Sequence, residues 1–161
     1  MRKNTFPNIG LRNIKTGLSV FICMILFQIF KRNDPFYACI AAVICMKDTV
    51  ENSRLIGINR LIGTFLGGLL GILAIYITSL LNISSFFSPI VTSLGIILTI
   101  YICTLLKKPG AVTIACIVYI GIMINHTGSN SYYYAVNRIF DTSIGVIIAI
   151  FINKYIKPPI K

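Results

Sequence analysis

The stretch LIGTFLGGLLGILAIYITSLLNISSFFSPIVTSLGIILTIYICTLL, residues 61–106, contains 46 consecutive residues without Asp, Glu, Lys or Arg. A single transmembrane helix needs only about 20 apolar residues, and no core helix of a soluble protein is this long and uniformly apolar. Across the whole chain of 161 residues, 56% are hydrophobic and 12% are charged, whereas a typical soluble domain is about 25% charged. The sequence therefore excludes a soluble globular enzyme and predicts an integral membrane protein.

Turn-forming residues divide the apolar sequence into six predicted membrane helices. Asp34-Pro35 begins the second helix, residues 82–89 split the long apolar block, and Pro109-Gly110 begins the fifth. The predicted spans are residues 14–30, 35–46, 61–81, 89–106, 110–125 and 135–153. Because no polar segment of domain length remains, we expect an all-α integral membrane protein with a single transmembrane domain and no soluble domain.

Basic residues flank the apolar blocks. The chain has 15 Lys and Arg against 4 Asp and Glu, a net charge of +11, and this placement favours contact with an anionic membrane face over binding of nucleic acid. If the N-terminus is cytoplasmic, all of the basic residues except Lys31, Arg32 and Arg138 fall on the cytoplasmic side, as the positive-inside rule requires. The rule thus supports an even number of spans, with both termini in the cytoplasm.

The second predicted span is too short to cross a bilayer alone. Its 12 uncharged residues, 35–46, cover about 18 Å at about 1.5 Å per residue, against a hydrocarbon core of about 30 Å. Either the helix continues through Lys47, Asp48 and Glu51, with Lys47 and Glu51 paired, or a broken helix exposes backbone groups to a polar cavity. A tilted bundle in a locally thinned bilayer is the third interpretation.

Two parts of the chain share a sequence pattern. The motif N-R-x-x-x-T-x-x-G occurs at residues 59–67 and 137–145, 78 positions apart, and Ala-Cys-Ile occurs at residues 38–40 and 115–117, 77 positions apart. The pattern predicts two copies of a three-helix unit. Because three spans are an odd number, the second copy must enter the membrane from the opposite side, giving an inverted 3+3 repeat like that of secondary transporters. The two copies cover about residues 10–81 and 88–156.

Three charged residues inside or beside predicted spans are candidates for binding or coupling. Asp141 lies within an apolar span, where an ionised group costs about 2.5–3.5 kcal/mol on insertion scales and normally faces a cavity or a partner. It either forms a structural ion pair with Arg138 on the same helix face or serves as a proton-coupling site. Arg138 and Arg60 are either snorkelling interfacial anchors or cations that attract an organic anion. The anchor is favoured for Arg60, which the predicted topology places beside the cytoplasmic face.

The repeated motif adds a threonine to each arginine, Thr64 and Thr142, and we include both among the candidates for substrate binding or coupling. Gly63, Gly67 and Gly71 recur every four residues in the third span, and such spacing is typical of close helix packing, within the chain or between subunits.

Enzyme chemistry has no support in the sequence. The single histidine, His126, falls in a predicted loop, and metal-ligand spacing, a nucleophile elbow and a phosphate-binding loop are lacking. The five cysteines lie in apolar stretches without a C-x-x-C pair, which predicts reduced, buried packing residues. We therefore expect neither catalysis nor a cofactor or metal.

Five sequence blocks run in order along nearly the whole chain. They are GLRNIKTG at 10–17, PFYACIAAVIC at 35–45, NS at 52–53, NRLIGTFLGG at 59–68 and NRIFDTSIG at 137–145. In their order and content these blocks resemble the aromatic acid exporter family, which is related to fusaric acid resistance proteins. The resemblance implies a six-helix module of the bacterial inner membrane that exports aromatic or other organic acids with the proton gradient and assembles as a homo-oligomer.

Three functions remain open on the sequence. The first is a transporter module for organic anions with Arg60, Arg138 and Asp141 near the route. The second is a non-transporting scaffold or accessory subunit whose basic face binds anionic membrane lipids or a partner. The third is an anion channel, which needs the same kind of lining residues as a carrier.

Overall fold

The computed structural model describes residues 10–32, 34–82, 87–124 and 130–156, except that the side chains of residues 130 and 131 are left out. Within these ranges the chain forms six α-helices and one short 3-10 turn, Pro109–Ala111, and no strand. The helices are α1 Leu11–Ile29, α2 Phe36–Cys45, α3 Val50–Leu80, α4 Ser88–Leu105, α5 Val112–Ile124 and α6 Asn130–Tyr155. The all-α prediction and the number of helices are confirmed, whereas the predicted loops at 83–86 and 125–129 and the terminal lysines lie outside the described residues.

Helix length separates the six helices into two groups. Four of them, α1, α3, α4 and α6, are long and apolar enough to cross a membrane. The other two, α2 with 10 residues and α5 with 13 residues, reach only about 15 and 20 Å, which is less than the hydrocarbon thickness of about 30 Å. Both short helices pack against the long central helices α3 and α6.

The chain is not helical between the end of α2 and the start of α3. α2 ends at Cys45, so the expectation that it continues through Lys47 to Glu51 is wrong. Thr49 instead caps α3, where its side chain accepts a hydrogen bond from the Asn52 N–H at 3.2 Å, and Glu51 in the first turn suits the positive end of the helix dipole. As a result α3 begins at residue 50, well before the predicted start at 61.

Two helices, α1 and α4, end in the same way. Each is followed by a lysine in the left-handed region, Lys31 with φ of 51° and Lys107 with φ of 55°. The next residue in each case donates its N–H back to the last helical turn, as in a Schellman motif. These bonds join Arg32 to Phe27 at 2.9 Å and Lys108 to Cys103 at 3.0 Å.

Glycine contacts the backbone of a neighbouring helix at several interior positions, most closely at Gly67 and Gly145. A Cβ added at Gly67 of α3 would collide with the carbonyl oxygen of Ala115 in α5. A Cβ added at Gly145 of α6 would collide with the carbonyl oxygen of Ala38 in α2. At both positions two helix backbones touch directly, which glycine alone permits.

Successive contacts give the directions of the helices. For α3 with α5 and for α6 with α2, the contact positions advance together along both helices, so each pair runs parallel. In chain order the contacts are Gly63 with Ala111, Gly67 with Ala115 and Gly71 with Ile122, then Tyr134 with Tyr37, Gly145 with Ala38 and Asn153 with Lys47. α3 and α6 run antiparallel, because Gly57 meets Ile150 whereas Gly68, three turns later, meets Ile139.

The pairing of the helices is unchanged when the two halves of the chain are exchanged. α3 and α6 pack on each other at the centre, α5 packs on both and so does α2. α1 packs on α2 and α6, and α4 packs on α5 and α3. The outer surface is rich in exposed large apolar side chains, and α4 is the least buried of the long helices.

Charge is concentrated at one end of the bundle, where α1, α3 and α5 begin and α2, α4 and α6 end. We call it the basic end. Its exposed basic residues among those described are Arg12, Arg54, Lys107, Lys108 and Lys154. The five cysteines are unpaired. Cys23, Cys45 and Cys103 are fully buried, as predicted, whereas Cys39 and Cys116 are only partly buried.

Candidate functional site

Asp141 on α6 forms an ion pair with an arginine from the far end of α1. The residue is 5% exposed, and its Oδ1 lies 3.1 Å from Nη2 of Arg32. The same Nη2 donates a hydrogen bond to Oδ1 of Asn137 at 2.7 Å, and the guanidinium lies 4.8 Å from the ring centroid of Phe140. No well-aligned hydrogen bond reaches the Asp141 Oδ1 from the described part of the chain, so the pair is held by charge.

The predicted ion pair between Asp141 and Arg138 is wrong. The guanidinium of Arg138 turns towards α2, where its Cζ lies 3.5 Å from the ring centroid of Tyr37. Its Nη1 also donates to the Tyr134 hydroxyl at 3.4 Å, and that hydroxyl shares a 3.0 Å hydrogen bond with the Tyr37 hydroxyl. The two tyrosines therefore hold the cation through a cation–π contact and a hydrogen bond, and leave the carboxylate to Arg32.

These side chains form one group, which we call the Asp141 cluster. Its members are Arg32, Tyr37, Tyr134, Asn137, Arg138 and Asp141. The four members on α6 recur at spacings of three and four residues, so they share one helix face. Asp34, just before α2, is the other charged group close enough to act on Asp141.

A second polar group lies at the basic end and also joins α1 to α6. Lys15 of α1 is buried, and its Nζ donates a hydrogen bond to Oδ1 of Asn153 at 3.0 Å. The Asn153 Nδ2 donates at 2.9 Å both to the Lys47 carbonyl and to the Ser53 hydroxyl, and that hydroxyl accepts from the Lys47 N–H at 3.1 Å. These four residues, the Asn153 node, tie the start of α1, the break after α2 and the end of α6 together.

Arg60 does not behave as a surface anchor. It lies on the buried face of α3 and is 5% exposed, so its guanidinium does not snorkel out of the chain. Its Nε and Nη1 are buried and have no hydrogen-bond partner in the described ranges. Its backbone carbonyl accepts a hydrogen bond from the Thr64 hydroxyl at 2.9 Å.

The other candidates from the sequence lie on inner helix faces. Thr64 and Thr142 are both buried, on α3 and α6 respectively. Gly63, Gly67 and Gly71 face α5 within the same chain.

The structure brings Asp141 and Arg138 into one cluster, whereas Arg60 and Thr64 lie on α3 outside this cluster. Arg60 is still near enough to Arg138 for the two charges to repel each other. Sequence analysis missed the partners in both polar groups, because Arg32 and Lys15 meet α6 across more than 100 positions of sequence. The one local signal was Asn153, an amide near the end of an apolar span. Among the described residues, no group of three His, Cys, Asp or Glu is placed to hold a metal ion.

Comparison with known proteins finds one matching family and several bacterial relatives. A family model described as Aromatic acid exporter family member 1 matches residues 7–156. A UPF0421 protein of Halalkalibacterium halodurans is 30% identical over 155 residues, which are 95% of this chain and 41% of the relative. UPF0421 proteins of Staphylococcus saprophyticus and Staphylococcus epidermidis are 28% and 29% identical over 151 residues, 94% of this chain and 44% of each relative. The chain thus spans less than half the length of these curated relatives, and no solved structure matches it.

Proposed function

Because the chain belongs to the aromatic acid exporter family, we propose that it is the membrane module of a transporter for aromatic or other organic acids. The module exports its substrate across a bacterial cytoplasmic membrane and couples export to protons. Family membership favours transport over enzyme catalysis. The relatives come from bacteria, and four helices have the length and apolar composition of membrane spans.

The proposal rests on a close contact between a glycine and a backbone carbonyl that occurs at matching positions in the two halves of the chain. Gly67 touches the carbonyl of Ala115, and Gly145, 78 positions later, touches the carbonyl of Ala38, 77 positions earlier. The helices exchanged by this relation, α3 with α6 and α2 with α5, run in opposite directions. This arrangement supports an inverted 3+3 repeat of residues 10–81 and 88–156, which is the architecture that allows a transporter to open alternately to either side.

The same proposal includes an orientation. The basic end faces the cytoplasm by the positive-inside rule, so both termini lie inside and Arg32 lies near the outer face. All six helices then cross or enter the bilayer, with α2 and α5 as the short pair at equivalent places in the two halves. Short or interrupted helices of this kind are where transporters bind substrate, because backbone groups at their ends become available inside the membrane.

Asp141 is the proposed coupling residue. When its carboxylate takes up a proton, the ion pair with Arg32 is lost, and Arg32 keeps its hydrogen bond to Asn137 and its contact with the Phe140 ring. A charged group in a membrane helix is costly unless it serves a function of this kind. Arg60, Arg138, Thr64 and Thr142 lie beside the proposed route on the inner faces of α3 and α6.

Flux measurement tests the proposal. Purified protein is reconstituted into proteoliposomes that are loaded with labelled benzoate, and efflux is followed with and without an imposed pH gradient. Efflux that depends on the gradient, and that stops when an ionophore dissipates it, is the expected result. Movement of benzoate that is equal with and without the gradient contradicts proton coupling and favours the anion channel.

The exposed basic residues at the basic end favour one alternative, a scaffold or accessory subunit whose basic face binds anionic membrane lipids or a partner. Its signature is an absence of flux in every condition, together with salt-sensitive association of the basic end with anionic lipid vesicles. Homo-oligomer formation is also proposed, with the exposed apolar side of α4 against lipid or a second copy. The mass of the protein in detergent, corrected for bound detergent, measures the number of copies.

A further inference from the structure

Arg60 and Arg138 occupy equivalent positions in the two halves of the chain, but their guanidinium groups have different surroundings. Arg138 lies 3.5 Å from the ring centroid of Tyr37 and donates to the Tyr134 hydroxyl. Arg60 has two guanidinium nitrogens, Nε and Nη1, that are buried without a hydrogen-bond partner in the described residues.

The sequence explains why Arg60 lacks these partners. At the offset of 77 or 78 positions, each group around Arg138 is replaced by a residue that cannot bind a cation. Tyr37 corresponds to Ile114, Tyr134 corresponds to Ile56, and Asp141 corresponds to Gly63. The two ion pairs within the described ranges join Arg12 to Asp48 and Arg32 to Asp141. The protein therefore keeps the arginine of the motif in its first half but not the groups that satisfy it.

A buried guanidinium without a partner is strongly unfavourable, and proteins rarely keep one unless something completes it. From this geometry we infer that Arg60 binds the carboxylate of a ligand, a role that rests on the proposed transport function for its biological context. Nε and Nη1 lie on different edges of the guanidinium, and each can donate a charge-assisted hydrogen bond to a carboxylate oxygen, either alone or beside Nη2 in a two-donor fork.

The surroundings of Arg60 select the rest of the ligand. Cys45 at the end of α2 lies near enough to act on the Arg60 charge, and it belongs to an apolar cluster with Met46 and Val146. Arg138 is also near enough to act on the Arg60 charge, but Tyr37 and Tyr134 already hold its guanidinium. The surroundings of Arg60 thus offer apolar contact and one cation that is free to bind. This chemistry fits a monocarboxylate with an apolar body and disfavours a dianion such as phosphate.

The Asn153 node lies on the side of Arg60 that faces the basic end. Ser53 precedes Arg60 by seven residues on the buried face of α3, which is about two helical turns, and Ser53 is itself fully buried in the node.

Ligand binding to the full chain in detergent tests the inference, with benzoate as the probe and benzamide as its uncharged counterpart. Wild-type protein is expected to bind benzoate saturably and benzamide not measurably in isothermal titration calorimetry. Arg60→Gln is expected to weaken benzoate binding about 10- to 100-fold, because it removes hydrogen bonds from a charged donor. The matched control is Arg54→Gln, since Arg54 is exposed on the same helix, and it is expected to bind like wild type.

Several outcomes overturn the inference. They are equal benzoate affinity in wild type and Arg60→Gln, equal binding of benzamide, and no saturable binding of benzoate to wild type. If benzoate binding depends on Arg60 but the protein shows no flux, the proposed transport is refuted and the binding site at Arg60 is supported. Gradient-driven flux with binding unaffected by Arg60→Gln refutes the site and keeps the transport.

A second variant tests the site without any ligand. Replacing an unpaired buried cation by an apolar side chain removes its desolvation cost, so Arg60→Met is expected to raise the thermal midpoint by about 2–4 °C or more. The same change at Arg138 is expected to lower it, because two tyrosines lose their partner. A lower midpoint in Arg60→Met shows that the protein already neutralises Arg60, through the carbonyl end of α2 for example, and overturns the inference.

Discussion

The two ends of α1 are fastened to α6 by different chemistry. At the end away from the basic face, Arg32 pairs with the Asp141 carboxylate at 3.1 Å. At the basic end, Lys15 donates to the Asn153 amide at 3.0 Å, and no carboxylate takes part. A proton can neutralise the first fastening but not the second. We therefore expect protonation to weaken the Arg32–Asp141 pair and to leave the hydrogen bond between Lys15 and Asn153 unchanged.

Between these two polar contacts, Gly145 of α6 packs directly on the backbone of α2. Disrupting this packing is expected to have the largest effect on the free energy of unfolding. Gly145→Ala places a methyl group against the Ala38 carbonyl, which belongs to a helix backbone and cannot rotate away. We expect a loss of about 3 kcal/mol in the free energy of unfolding, measured by titration with SDS in mixed micelles. Gly17→Ala is the control, because no atom lies within 4 Å of its added Cβ. Equal stability of the two variants contradicts the backbone contact.

Removal of the Asp141 carboxylate breaks the ion pair with Arg32 and leaves the hydrogen bond between Lys15 and Asn153 in place. Asp141→Ala leaves Arg32 without its counter-ion but still bonded to Asn137, so we expect a loss of about 2 kcal/mol. In Asp48→Ala, which removes a carboxylate whose side chain is 79% exposed, the expected loss is below about 0.5 kcal/mol. If the two variants are equally stable, the Asp141 carboxylate is not held as described.

Asn153→Ala breaks the second fastening. It removes the acceptor of the Lys15 ammonium and the donors to the Lys47 carbonyl and the Ser53 hydroxyl. We expect a loss of about 1.5 kcal/mol, equal at neutral and acidic pH because no carboxylate contributes. A loss that disappears on acidification, measured by the same SDS titration at both pH values, removes the distinction between the two ends.

The smallest expected effect comes from Tyr37, whose hydroxyl and ring belong to the Asp141 cluster. Tyr37→Phe removes the hydroxyl that bonds to Tyr134 but keeps the ring beside Arg138. A loss of about 0.5–1 kcal/mol is expected. Tyr37→Leu, which also removes the ring, is expected to cost about 1 kcal/mol more. If the two substitutions at Tyr37 have the same effect on the free energy of unfolding, the cation–π contact contributes nothing.

Local sequence patterns predicted much of the fold. Hydropathy and turn residues predicted the six helices, because the position of a helix and the turn that ends it depend on residues that are close together in the sequence. The start of α3 was predicted too late, because the predicted span began at residue 61, directly after the charged residue Arg60, whereas the helix begins at residue 50. Asp141 was recognised as unusual from its apolar context alone.

The partners of the polar groups were beyond the reach of local patterns. Arg32 and Arg138 were both basic residues near Asp141 in the predicted topology, and spacing along one helix favoured Arg138. The choice depended on Tyr37, which offers Arg138 a ring face from a helix that is distant in sequence. The Asn153 node has the same origin, since it needs α1, the break after α2 and α6 to be placed together.

The most direct test of the account compares proton-linked efflux of benzoate from proteoliposomes that contain wild type, Asp141→Asn or Asp48→Asn. All three are checked for equal reconstitution and for an unchanged elution profile in detergent. We expect gradient-driven efflux for wild type and Asp48→Asn. For Asp141→Asn we expect no more efflux with the pH gradient than without it. Full gradient-driven efflux in Asp141→Asn would contradict the claim that the Arg32–Asp141 pair couples protons to transport.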